Sequence, residues 1–272
     1  MPFRPFALAA LAAAAIAAAC PAKAVSLFAT DTNTDQLIRI NPATGEGVAI
    51  GPLGVAGEFV TGLAFAPDGT LFGIDVREDR LITIDPTTGL ATAVSTRPLP
   101  FGNIEDLAFA PDGTLFAVDR DLPDRLLTID TTTGVATAVG NQGLGFDNVL
   151  GLEFAPDGTL FAIEGLNEQD LLTIDPTTGV ATKRRDFPSG TVLVSLAIAA
   201  NGTFFAPDRA TDQLVTIDPE TGLITYVGLI GFENIRGLAV SSAIAHVPLP
   251  APAGLLLAGL GGLAVVGRRR AD

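Results

Sequence analysis

The chain has 272 residues, 30 acidic against 16 basic side chains for a net charge of −14, and one each of Cys, His, Met and Tyr. A thiol nucleophile, a His-based triad and a zinc site of His and Cys all need residue types that this chain nearly lacks. The negative charge also disfavours nucleic acid and anionic membrane surfaces, which would repel it.

Residues 1–24 carry a cation at Arg4, an apolar stretch from Phe6 to Ala19 and the tripeptide Ala22-Lys23-Ala24. This is the layout of a secretory signal peptide with small residues at Ala22 and Ala24, and cleavage is expected after Ala24. Ala17-Ala18-Ala19-Cys20 loosely fits a lipidation box but lacks the Leu usual three residues before the Cys. Cleavage after Ala24 leaves a chain without cysteine, which an oxidising compartment permits and does not require.

From residue 25 the sequence repeats. Leu27-Phe28, Leu71-Phe72, Leu115-Phe116, Leu160-Phe161 and Phe204-Phe205 begin at spacings of 44, 44, 45 and 44 residues. A second marker, Ile-Asp-Pro-x-Thr-Gly, ends at Gly45, Gly89, Gly134, Gly179 and Gly222, with Asn41 and Thr131 as departures. A third, Ala-Pro-Asp-Gly-Thr, occupies 66–70, 110–114 and 155–159 and decays to Ala-Ala-Asn-Gly-Thr at 199–203. Three markers in phase secure the period.

Each unit parses into four short strands. Gly62 to Phe65 leads into a Pro67-Asp68-Gly69 turn, Thr70 to Asp75 alternates, Arg80 to Ile84 follows an acidic loop, and Asp85 to Gly89 turns the chain into Leu90 to Val94. Four strands in about 44 residues, repeated, are the mark of propeller blades. The first unit lacks a first strand, whereas Ile235 to Val240 is a first strand with no unit behind it. The sequence therefore predicts an all-β fold, a five-bladed β-propeller of four-stranded blades over residues 25–243, whose C-terminal strand completes the N-terminal blade and pairs both open edges. The repeat Leu-Phe-Ala-x-Asp, a polar loop and Arg-Leu-x-Thr-Ile-Asp-Pro-x-Thr-Gly resembles NHL-type and gluconolactonase-like propeller blades, and is similar to quinoprotein-like repeats without their tryptophan-docking pattern. The resemblance implies a fold; its motifs are structural.

In a propeller the first strands line the axis, and the loops after the second and fourth strands open on one face. Asp31, Asp75, Asp119, Glu164 and Asp208 then end the second strands near that mouth, one per blade. Five carboxylates about one axis suit Ca²⁺, which takes 6–8 oxygen ligands; the competing expectation is that each acid caps its own loop. Asp31-Thr32-Asn33-Thr34-Asp35 has the alternating oxygens of a calcium loop but has Gln36 and Pro42 where Gly and Glu belong, and acid-rich loops also occur at Glu78-Asp79 and Asp121 to Asp124. Residues that vary between blades carry more information. Glu105-Asp106 replaces the Thr61-Gly62 of the preceding blade, and Arg236 holds the matching place in the closing strand, so these three are expected at the channel mouth as ligand-binding groups or as an axial salt bridge. Lys183-Arg184-Arg185, the one basic cluster of the domain, is expected as a solvated outer patch open to an anionic polysaccharide.

The C-terminal segment, 244–272, contains Val247-Pro248-Leu249-Pro250-Ala251, an apolar run from Ala253 to Val266, and Arg268-Arg269-Arg270. The run is shorter than the ~20 residues that cross a bilayer comfortably, and by the positive-inside rule its Arg cluster is cytoplasmic. The three parts in this order resemble the VPLPA branch of the PEP-CTERM sorting signals of Gram-negative bacteria. Over 247–272 the resemblance implies a short transmembrane helix, recognition by an exosortase-type protease, removal of the tail and delivery to the cell surface or an extracellular polysaccharide matrix.

Between residues 25 and 247 stand 29 acidic and 11 basic residues, a net charge of −18 that suits an extracellular protein able to collect divalent cations. The sequence is accordingly read as a secreted or cell-surface binding or structural protein without catalysis, its near-identical blades favouring scaffold over enzyme. Its expected partners are the exosortase, an extracellular polysaccharide or another surface protein, and Ca²⁺ as the candidate ion. The membrane is touched only through the C-terminal helix. The alternative is a divalent-metal-dependent lactonase or hydrolase of gluconolactonase-like type, its ion held by some of Glu105, Asp106, Asp119 and Glu164. Against it stand five blades where that family usually has six, and no channel His.

Overall fold

Local turn chemistry sets the architecture. Asp68, Asp112 and Asp157 each accept the backbone N–H two residues on, from Thr70, Thr114 and Thr159, at 2.9 Å. Asp85 does the same for the second turn type, taking both the N–H (2.8 Å) and the hydroxyl (2.7 Å) of Thr87. These bonds favour the ionised carboxylates and hold Asp68, Asp85, Asp112 and Asp157 below the ordinary carboxylate range.

The computed structural model describes residues 25–54, 59–95, 98–165 and 169–242, and there the turns join the strands into five four-stranded antiparallel sheets. Numbered in chain order and given from inside outward, the first blade is β20 (Ile235–Ser242), β1 (Val25–Asp31), β2 (Gln36–Ile40) and β3 (Gly47–Pro52). The second is β4 (Val60–Phe65), β5 (Leu71–Asp75), β6 (Arg80–Ile84) and β7 (Ala91–Ala93); the third is β8 (Ile104–Phe109), β9 (Leu115–Asp119), β10 (Arg125–Ile129) and β11 (Ala136–Ala138). The fourth is β12 (Val149–Phe154), β13 (Leu160–Glu164), β14 (Asp170–Ile174) and β15 (Ala181–Asp186), and the fifth is β16 (Ala197–Ile198), β17 (Phe204–Asp208), β18 (Gln213–Ile217) and β19 (Ile224–Leu229). Each inner strand packs on the next, and β16 packs on β20, which closes the ring. The closing strand lies where the repeat arithmetic puts it, with Leu27 opposite Val240 and Val25 opposite Ser242.

Two-sided burial explains the strand composition. The second strands are buried along their whole length in three blades, and in a fourth only Phe161 is partly exposed, because each face of a blade meets a neighbour. Five apolar clusters fill the five interfaces between blades. Within them a Phe of one second strand meets an inner-strand Phe of the next blade: Phe28 with Phe65, Phe72 with Phe109, and Phe116 with Phe154, at centroid separations of 5.3, 5.6 and 5.5 Å. The fifth blade breaks the pattern. Ile198 replaces the inner Phe, Phe161 meets Phe204 instead at 4.9 Å, and β16 shrinks to two residues while Leu193 makes an isolated bridge to Asp208.

The Thr-Gly of the outer turn does more than reverse the chain. A Cβ on Gly45 would meet the Gly228 carbonyl oxygen at 2.5 Å, one on Gly89 that of Gly51 at 2.6 Å, and one on Gly222 that of Asp186 at 2.5 Å. These three outer turns therefore lie backbone to backbone against the outer strand of the preceding blade, and a side chain there would wedge the blades apart. The segments 1–24 and 244–272, with the signal peptide and the sorting helix expected on them, lie outside the described residues. Among the described residues no helix is long and apolar enough to cross a membrane.

Candidate functional site at the channel mouth

The site grows from one irregularity repeated around the ring. The pairing of β4 with β5, β8 with β9, β12 with β13 and β20 with β1 each slips at one place, between Thr61 and Leu63, Ile104 and Asp106, Val149 and Gly151, and opposite Ala29 to Asp31. A bulge of this kind re-aims consecutive side chains. Two rings of equivalent positions result along the inner strands. The upper is Thr61, Glu105, Leu150, Val194 and Arg236; the lower is Gly62, Asp106, Gly151, Ser195 and Gly237.

The lower ring closes the axis. Asp106 is 1% exposed, its Oδ1 accepts the Leu107 N–H at 3.0 Å, and its Oδ2 accepts the Leu152 N–H at 3.1 Å and the Ser195 hydroxyl at 2.9 Å. Ser195 Oγ in turn accepts the Leu238 N–H at 3.0 Å. One carboxyl and one hydroxyl thus tie together four blades across the axis. The three glycines make room: a Cβ on Gly62 would meet Asp106 Cα at 2.8 Å, one on Gly151 the Ser195 carbonyl carbon at 3.0 Å, and one on Gly237 the Leu63 nitrogen at 2.7 Å. Burial raises the Asp106 carboxyl well above its ordinary range, against the donors from Leu107, Ser195 and Leu152 that pull it down. Glu153 on β12 is likewise raised well above its ordinary range, first by burial, with the Asp106 charge adding to the effect.

Above this floor the upper ring lines a cavity of about 220 Å³ with Phe59, Val76, Arg120 and Arg209. Glu105 and Arg120 form an ion pair, and Arg120 also donates to the Asn148 side chain at 2.9 Å. Arg236 is half-buried; burial lowers its guanidinium pKa first, Glu105 raises it, and the charges of Arg209 and Arg120 lower it further. Among the described residues the cup therefore holds three guanidinium groups against one carboxylate.

The structure divides the three mouth residues expected from sequence. Glu105 and Arg236 stand in the cup wall, while Asp106 lies beneath it as the floor. Arg120, Arg209 and Ser195 went unremarked in the sequence, although a blade-by-blade alignment points to them. The residue after the second-strand acid reads Thr32, Val76, Arg120, Gly165 and Arg209, and the lower-ring position reads Gly, Asp, Gly, Ser, Gly.

The second-strand acids are buried, as the alternation requires, and each is engaged locally. Asp31 accepts the Asn33 N–H at 3.0 Å and the Thr34 hydroxyl at 2.5 Å, both from its own loop. Asp75 accepts two bonds from Arg80 at 3.1 and 3.0 Å, and Asp119 pairs with Arg125 at 2.6 Å. Asp208 accepts the Val192 and Ala210 N–H groups at 2.9 and 3.0 Å and the Thr211 and Tyr226 hydroxyls at 3.0 and 3.2 Å. Glu164 pairs in the backbone ladder with Val149 and Asp170. Among the described residues no three His, Cys, Asp or Glu side chains come together to hold a metal ion, so neither the five acids nor the set Glu105, Asp106, Asp119 and Glu164 converges. The basic cluster lies on outer strand β15, where Lys183 pairs with Asp170 and Asp186, both at 2.7 Å, and Arg185 approaches Glu220 at 3.8 Å.

The sequence family described as a repeat of unknown function (DUF6923) matches residues 27–147 and 112–237. Among solved structures the fold is similar to a chain of the nidogen/laminin complex, with TM-score 0.57 at 14% identity, covering 79% of this chain and 98% of that one. It is also similar to a gluconolactonase from Xanthomonas campestris, with TM-score 0.51 at 13% identity, covering 78% of each chain. At these identities the likeness is one of fold. No curated protein matches the sequence.

Proposed function

The chain belongs to the DUF6923 repeat family, and from that premise we propose that it is an exported β-propeller that binds a ligand in the cup at its channel mouth, without catalysis. One observation carries this reading. Turn and core positions repeat almost unchanged around the ring, yet the upper ring bears five different residues, Thr61, Glu105, Leu150, Val194 and Arg236. Scaffold needs are the same in every blade and cannot ask for five different side chains at one position. The floor supports the same reading, since a cavity sealed below by buried, hydrogen-bonded groups receives a ligand from one side only.

The test fills the cup without disturbing the inner strands. Val76 lies on the loop after β5 and packs, partly buried, against the apolar cluster between the second and third blades, so the melting temperature of Val76→Trp is measured beside its binding. The substitution should weaken binding of ligands found on a panel of glycans and surface proteins by roughly tenfold or more. Unchanged binding of every ligand by the filled variant would exclude the cup.

The destination proposed is the cell surface or its polysaccharide matrix, by way of the Val247 to Ala251 box and an exosortase. Intact-mass measurement of the surface form from a host with that protease is expected to show a chain lacking residues 1–24 and the tail after the box. A surface form that retains Arg268 to Arg270 would overturn this route.

A further inference from the structure

Of the 11 basic residues between 25 and 247, three stand in one small cavity: Arg120 from the loop after β9, Arg209 from the loop after β17 and Arg236 from β20. They come from three different blades of a strongly acidic protein, and like charges gathered about one space repel one another. Among the described residues lining the cavity only Glu105 offsets them, and its ion pair is with Arg120. Arg120 keeps a buried Nε–H without a hydrogen-bond partner. A charge arrangement costly to the empty protein and paired with an unsatisfied donor is what an oxyanion would relieve.

The rest of the wall narrows the class. Leu150 and Val194 are buried, and Phe59, half-exposed, stands at the rim. About 220 Å³ lies below the ~300–1,000 Å³ of pockets for drug-sized ligands, so the occupant is about one ring in size. Around the wall apolar groups from the second, fourth and fifth blades alternate with arginines from the first, third and fifth, which fits a small ring with C–H groups and a single carboxylate.

Resting on the cup reading above, we propose that the mouth binds a carboxylated sugar ring, a hexuronate unit, its carboxylate held by Arg120, Arg209 and Arg236 and its C–H groups set against Phe59 and Leu150. Electrostatic attraction into a low-dielectric cup then gives this negative protein one place that concentrates anions.

Calorimetry on the full chain with galacturonate, galactose and inorganic phosphate as probes tests this. Galacturonate is expected to saturate at one site per chain and galactose to show no comparable binding. Arg236→Gln and the exposed Arg209→Gln should each weaken galacturonate roughly ten- to hundredfold, the worth of a charge-assisted bond, with partial recovery in Arg236→Lys. Added salt should weaken it too. If Arg236→Gln melts early, Arg209→Gln decides, because its side chain lies outside the packed interior.

Equal affinity for galactose, or arginine variants that melt normally and bind galacturonate undiminished, overturns the inference. Phosphate bound as tightly as galacturonate with the same arginine dependence overturns the sugar assignment in favour of a bare oxyanion site. Val76→Trp separates the two proposals. A ligand lost in Val76→Trp but indifferent to Arg209 and Arg236 leaves the cup standing and removes the anion. Galacturonate binding that needs the arginines but survives Val76→Trp keeps the anion at the arginines and overturns the reading that the ligand fills the cup.

Discussion

Asp106→Ala is expected to be among the most destabilising substitutions in the chain, at roughly 2–5 kcal/mol, because it strands the buried Leu152 N–H and the Ser195 hydroxyl with no water to replace their acceptor. For a domain of this size that is a fall of roughly 4–20 °C in melting temperature. Ser195→Ala should cost less, since it orphans the Leu238 N–H but leaves the carboxyl its two backbone donors. The pair should be strongly non-additive, and a double-mutant cycle measures that coupling. Independent costs that simply add would show that the two side chains do not act as one tie across the axis.

The same carboxyl gives the stability a pH signature. Its value in the folded chain is raised above the ordinary 3.8, so between the two values the folded chain binds the extra proton. Its contribution is therefore fully present below pH 3.8 and is lost as pH climbs through the raised value. The turn acids work in the opposite sense. Asp68, Asp85, Asp112, Asp130, Asp157, Asp175 and Asp218 are all lowered, so what they contribute is present above the ordinary value and lost as pH falls through the lowered ones. Melting temperature followed from acid pH upward should show the decline with rising pH reduced in Asp106→Ala and the decline toward acid retained. An unchanged decline with rising pH would mean that Glu153, not Asp106, carries it.

Gly140→Ala should rival the loss of Asp106. This residue follows β11, has φ of +67°, and a Cβ there would meet the Thr178 carbonyl oxygen of the next blade at 2.0 Å. Left-handed strain of about 1–2 kcal/mol adds to about 1–3 kcal/mol of overpacking against backbone. Gly158, with φ of +88° and nothing within 4 Å of its Cβ position, is the control: Gly158→Ala should show the strain alone. Chemical denaturation of the two variants separates the effects. Equal losses would remove the idea that outer turns and outer strands hold adjacent blades by close backbone contact.

What could be foreseen from sequence followed the range of the forces involved. Turn types depend on a few adjacent residues, so Pro67-Asp68-Gly69 and its copies declared the hairpins, and the regular period declared the blades. The missing first strand before Leu27 and the spare one after Asn234 declared the closure by simple bookkeeping. The mouth was legible in half. Glu105 and Arg236 stood out because they depart from the repeat on the inner strand, but Arg120 and Arg209 sit in loops where variation looks ordinary. Ser195 became informative only when paired with Asp106, 89 residues away. The second-strand acids were placed at the ends of buried strands correctly. Whether such acids gather about a cation or serve their own loops depends on partners such as Arg80, Arg125 and Thr211, and repetition along the chain does not reveal them.

The closing strand has a mechanical meaning. It starts beside the cup, at Ile235 and Arg236, and ends at Ser242 on the far side of the ring, opposite Val25. A pull between an object gripped in the cup and whatever is joined beyond Ser242 therefore runs along β20. It loads the bonds of β20 to β1 side by side, in shear, instead of peeling them one at a time. On the proposed tethered route, attachment beyond Ser242 and grip in the cup fall on opposite ends of β20.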